Sequence, residues 1–130
     1  MTSTGLTAKQ LAILAVTGAA LWFLAAMILR IVGPLGAYEG WGRVILYVLV
    51  IPGTVPFIPI SRKLAGLRVD QTAIGIAAVT TSALLLDGIA LAVIPTLYGS
   101  DVVYHAGAGA AILWGAGVGQ VLGFLMTKAA

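Results

Sequence analysis

The chain contains no cysteine, which excludes disulfides, thiolate metal sites and thiol nucleophiles together. Charge is almost as scarce. Seven Lys and Arg and four Asp and Glu make up 8% of the 130 residues, where an ordinary globular chain carries about a quarter. That scarcity excludes a soluble domain. No run of Lys and Arg interleaved with aromatics occurs, so nucleic acid is excluded as a partner. With one histidine and four scattered acids, no nucleophile–base pair and no cluster of three metal ligands can be recognised. The reading is therefore not an enzyme, with no metal and no cofactor expected.

What fills the chain instead is apolar residue, 61% of the total, in four long runs: roughly Ala8–Val32, Trp41–Leu64, Thr72–Thr96 and Val102–Met126. Each reaches the ~20 residues that cross a bilayer as a helix. The first is too long for a signal-peptide core and lacks a clear cleavage site, so it reads as a retained span. Residues 1–130 thus read as a single all-α transmembrane domain, an integral membrane four-helix bundle with the lipid bilayer as its first partner. The expected setting is a bacterial inner membrane. Lys9, Arg62, Lys63, Arg68 and Lys128 fall on one side and only Arg30 and Arg43 on the other, which places both termini in the cytoplasm.

Glycine is abundant, and its arrangement organises the last span. Gly107, Ala111, Gly115, Gly119 and Gly123 recur every fourth position. Such glycines weaken a helix in water, but in lipid the backbone must bond internally, and small residues let another helix approach closely. A strict four-residue repeat drifts by ~40° per step on a 3.6-residue helix. The ladder therefore winds, and needs one steeply crossing partner or two at different depths. Part of it is expected to stay available to a helix outside the bundle.

The first span opens on a capping box, Thr7 and Gln10. Ala8, Ala12, Ala15, Ala19, Trp22, Ala26 and Leu29 then form a small-residue heptad seam. Trp22 brings an indole N–H to mid-membrane that needs an acceptor, expected to be a carbonyl. Arg30 precedes Gly33-Pro34, which ends the helix, and should snorkel to the headgroups. The second span contains Ile51-Pro-Gly-Thr-Val-Pro-Phe-Ile-Pro59. Pro52, Pro56 and Pro59 each remove an N–H, and a kink or unwound segment is expected near Pro52-Gly53. Broken helices of this kind are tolerated where they are buried or line a cavity, and in transporters they often mark the site.

Asp70 is expected to cap the third span, where Ala73, Ile76, Thr80, Ala83, Asp87 and Ala90 form a second seam. That seam turns Asp87 inward, where an acid is either structural, as a pair or as a protonated carboxyl hydrogen-bonded to a neighbouring helix, or a functional group. Arg30 or Arg43, reaching in from the outer side, is the expected ion-pair partner. Pro95 and Gly99 end the helix; Ser100 should cap the next, with Asp101 in its first turn and His105 one turn on, within bonding reach of it.

Leu21-Trp22 with Arg30 and Gly33, Leu85-Leu86-Asp87 with Pro95, and Leu113-Trp114-Gly115 resemble a family of small four-helix bacterial membrane proteins catalogued as a domain of unknown function. The resemblance implies the fold and the membrane setting, and no activity. By size and span count the chain is also similar to the small multidrug-resistance transporters. Those rely on a glutamate in the first helix, and residues 8–32 hold no acid, which puts drug export in doubt. The leading expectation is a structural or accessory subunit that assembles with itself or with a larger membrane complex through its Gly-rich last helix. The alternative is a transporter or channel for a small solute or ion, using Asp87 and the broken second helix.

Overall fold

The computed structural model describes residues 5–127; Lys128, counted above, lies outside them. Five α-helices follow in order, α1 (Ala8–Val32), α2 (Gly40–Thr54), α3 (Phe57–Ala65), α4 (Thr72–Val93) and α5 (Val102–Met126). Three 3-10 turns join them at Gly33–Leu35, Val69–Gln71 and Pro95–Tyr98, and no strand occurs among the described residues. Ala8–Leu35, Gly40–Ala65, Val69–Val93 and Val102–Met126 are long and apolar enough to cross a membrane. Below, the end bearing Lys9, Arg62, Lys63 and Arg68 is the basic end, and the other the distal end.

The helix ends follow from local chemistry, with some differences from expectation. Thr7 and Gln10 form the capping box, each side chain bonding the other's backbone N–H at 3.1 and 3.0 Å. Asp70 does not cap α4; it pairs with Arg68 at 3.0 Å inside the 3-10 turn, and the N-cap position is Gln71. The Ala73 N–H instead donates to Thr127 Oγ1, at 2.7 Å, from the far end of α5. At its other end α4 stops at Val93, short of Thr96, because Pro95 forces Ile94 out of the helical region (φ −132°, ψ 59°). Asp101, not Ser100, caps α5 by accepting from the Val103 N–H at 2.9 Å. His105 Nε2 lies 2.9 Å from the Gly99 carbonyl instead, and no Asp101–His105 side-chain pair is recorded among the described residues.

The second span breaks one turn later than expected. Pro52 is absorbed inside α2, and the helix gives way at Val55-Pro56 instead of Pro52-Gly53. The spacing of the prolines explains this. Pro56 and Pro59 remove two helical N–H donors three residues apart, within one turn, whereas Pro52 removes one. By restarting at Phe57 the chain puts Pro59 in the first turn of α3, where its missing N–H would have had no partner. The break lets the two halves go separate ways: α2 leans on α5, and α3 crosses the basic end to meet α1 and α4.

The bundle proper is α1, α4 and α5, with α4 between the other two. For helices apolar enough to cross a membrane, association in lipid rests on close packing, because lipid tails are as apolar as leucine. Gly18 provides that closeness. A Cβ built there would lie 2.4 Å from the Val79 carbonyl oxygen and 2.8 Å from Ser82 Cβ. At the same crossing Ser82 Oγ donates to the Ala15 carbonyl at 2.7 Å. The α1 seam is consequently rotated at its basic half: Leu14 and Gly18 are buried and Ala12 is exposed, whereas Ala26 and Leu29 lie inside as expected. Glycine, not alanine, sets the contact, because only a missing Cβ admits a neighbouring backbone.

Candidate functional site

The inward polar group is a trio that joins α1, α4 and the Pro95–Tyr98 turn. Tyr98, 1% exposed, donates its hydroxyl to Asp87 Oδ1 at 2.6 Å and accepts the Trp22 indole N–H at 2.9 Å. Asp87 is itself 8% exposed. Each group thus has a partner in a region where an unmet donor or acceptor is expensive. Burial, and next the bond to Asp87, hold the Tyr98 hydroxyl above its ordinary pKa. The acceptor for Trp22 is a phenol, not the expected carbonyl.

Neither arginine reaches Asp87. Arg30 Nη1 donates to the Thr96 carbonyl at 3.3 Å, and Arg43 donates Nε and Nη2 to the Tyr38 carbonyl at 2.8 and 2.5 Å. Both acceptors sit in the distal turns, so each guanidinium is held at the rim. The only ion pair recorded among the described residues is Arg68–Asp70. The expected Asp87–arginine pair is replaced by Tyr98.

The ladder on α5 turns inward and meets three different neighbours. At Gly107 a Cβ would lie 2.4 Å from the Tyr38 ring, which is wedged against α1 by a hydroxyl bond to the Leu29 carbonyl at 3.2 Å. Burial pushes the Tyr38 pKa up to about 12. Gly115 and Gly119 face Val50 and Thr54 of α2, each at 3.9 Å, and Gly123 faces Ile76 of α4 at 3.2 Å. Ala111 is buried among them. The winding repeat is therefore met by two helices at different depths. Every ladder glycine faces this chain's own residues, which corrects the expectation that part of the ladder stays free.

A different face of α5 is left open. Gly109, Leu113, Gly117, Gln120 and Phe124 share it at spacings of four, four, three and four. A Cβ at Gly109 or Gly117 would meet nothing within 4 Å, and Leu113 and Phe124 are 73% and 69% exposed. The Gln120 amide, half-buried, makes no hydrogen bond recorded among the described residues.

The break in the second span turns its prolines outward. Pro52, Gly53, Pro56 and Pro59 are all exposed, and a Cβ at Gly53 would meet nothing within 4 Å. The cavity, about 460 Å³, lies at the distal end between α2 and α5 and is lined by Tyr38, Arg43, Tyr47, Val102, Val103, Ala106, Gly107 and Ala110, not by Asp87. Beneath it Tyr47 stacks on Trp114, ring centres 5.3 Å apart, and the Trp114 indole donates to the Tyr47 carbonyl at 2.9 Å.

No protein-family model, curated protein or solved structure matches this chain. Reading the sequence found Asp87 and Trp22 and missed Tyr98, which joins them. The available signal was a lone inward acid that required a donor, with one tyrosine between Pro95 and Gly99. Gln120 was passed over because it lies off the ladder, although its place on an apolar helix was the signal.

Proposed function

We propose that this chain acts by assembling within a membrane, and that α5 is its contact surface through the face bearing Gly109, Leu113, Gly117, Gln120 and Phe124. Gln120 carries the reading. A primary amide turned toward hydrocarbon needs a partner, and the two open glycines on its face let a second helix come near. A second copy in parallel orientation is the partner we assign. Across a two-fold axis the amide offers both donor and acceptor to its own image, so the face is self-complementary. The polar trio then serves to hold the bundle rigid behind that face. The transport alternative draws on Asp87, whose recorded partner is Tyr98 and which does not line the cavity.

Because the sequence has no cysteine, single-cysteine variants need no prior removal of native thiols. Leu113→Cys and Gly117→Cys should form a covalent dimer on mild oxidation in native membranes, and Ile89→Cys, on an exposed α4 position, should not. Cross-linking to a foreign protein alone would replace the second copy with a larger complex. No cross-link at either α5 position would defeat the assembly reading.

Four long apolar helices support a multi-pass membrane protein, for which the proposed setting is a bacterial cytoplasmic membrane, and the five-to-two distribution of basic residues supports cytoplasmic termini. An impermeant thiol reagent on intact cells should label a cysteine at Ser100 and spare one at Val69. Labelling at Val69 alone would invert the topology.

A further inference from the structure

We propose that the distal cavity between α2 and α5 is a binding site for one phospholipid, with its phosphodiester on Arg43 and an acyl chain along Val102, Val103, Ala106 and Ala110. Val102 and Ala106 continue the Gly109–Phe124 face by helical spacing while Arg43 and Tyr47 of α2 stand outside it, so the site caps the distal end of that face without resting on the assembly reading. Depth comes first. Arg43 stands in the first turn of α2, and Val102 and Val103 open α5, so the cavity sits where spans emerge into the headgroup layer.

Chemistry comes second. Bonding of Nε and Nη2 to the Tyr38 carbonyl fixes the guanidinium at the cavity wall and leaves Nη1 without a recorded partner. Arginine carries five N–H donors, so a fixed and incompletely used guanidinium is a pre-oriented phosphate ligand. No acid is recorded in ion pair with it among the described residues. The Tyr47 hydroxyl, also in the lining, has no recorded partner and can add a second donor. An exposed arginine at a span end commonly just snorkels. What differs here is the anchored head beside an apolar cavity of about 460 Å³.

The same rim also selects the headgroup. Glu39, the N-cap residue of α2, stands four residues before Arg43, and Asp101, that of α5, immediately precedes Val102 of the lining, so two carboxylates belong to the same end as the cation. Together they repel a net-anionic headgroup and suit one that carries its own ammonium. The occupant is therefore a zwitterionic aminophospholipid.

The test uses native mass spectrometry of the full chain released from nanodiscs containing phosphatidylethanolamine and phosphatidylglycerol in equal amounts. Wild type should keep one phosphatidylethanolamine after bulk lipid is stripped. Arg43→Gln should lower its retention about tenfold, through loss of the charge-assisted bonds. Ala106→Phe, which fills the cavity and leaves the Arg43 anchor intact, should lower it similarly without changing the melting temperature. Arg30→Gln, at the same end and outside the cavity, should retain the lipid. Preferential retention of phosphatidylglycerol would overturn the headgroup assignment. A wild type without bound lipid, or an adduct indifferent to both Arg43→Gln and Ala106→Phe, would overturn the site.

Discussion

Gly18→Leu should lose the α1–α4 crossing and with it most of the folded population. The first added carbon already lies 2.4 Å from the Val79 carbonyl oxygen, which belongs to backbone and cannot rotate away as a side chain would. Gly18→Ala alone should cost ~1–3 kcal/mol by overpacking. The longer side chain must push α4 outward. It also breaks the Ser82–Ala15 bond at 2.7 Å, so the total should exceed ~3 kcal/mol. Gly88→Ala, at a position with nothing within 4 Å, should stay within about 0.5 kcal/mol of wild type. Thermal unfolding in a gentle detergent, followed by tryptophan fluorescence, separates the cases. Equal melting of Gly18→Leu and wild type would show that this crossing does not hold the bundle.

Tyr98→Phe should be the second most damaging change, although it removes one oxygen atom. That oxygen is both the acceptor for Trp22 and the donor to Asp87, so its loss strands an indole N–H and a carboxyl that are shielded from water. Each orphaned group costs ~1–3 kcal/mol, and the combined loss should be ~2–5 kcal/mol. Asp87→Asn should be milder, because the amide oxygen can still accept from Tyr98. Trp22→Phe in the Tyr98→Phe background should cost less than it does alone, since the indole has already lost its acceptor. Tyr98→Phe melting with wild type, or Asp87→Asn melting below it, would mean the trio is not the structural link described here. Asp87→Asn that melts normally but abolishes a solute flux would move Asp87 from structure to transport.

The span positions were legible because apolar length and breaker residues act locally: Gly33-Pro34 stops α1 and Pro95 stops α4 whatever their neighbours do. Facing was less legible. The seam of α1 was read from alanines, but Gly18 decides the crossing, and which small residue meets a backbone depends on the partner helix. The ladder on α5 was plain as a repeat, and its two-partner winding follows from helix geometry. Its coverage by Tyr38, by Val50 and Thr54 of α2 and by Ile76 of α4 comes from three separate segments that no spacing rule connects. Tyr98 and Thr127 were missed for the same reason. Each bonds a helix far from it in sequence, Tyr98 meeting Trp22 and Thr127 meeting Ala73.

The assembly of the chain is tested most directly by its mass in lipid. Wild type in nanodiscs large enough for several copies should give dimer or larger species by native mass spectrometry as protein concentration rises. Gln120→Leu removes one polar bond worth ~0.6–2 kcal/mol and should weaken the assembly several-fold. Gly117→Leu, which blocks close approach without touching the bundle, should give monomer with an unchanged melting temperature. A wild type that stays monomeric at every concentration, or an oligomer that both substitutions leave intact, would contradict assembly through this face.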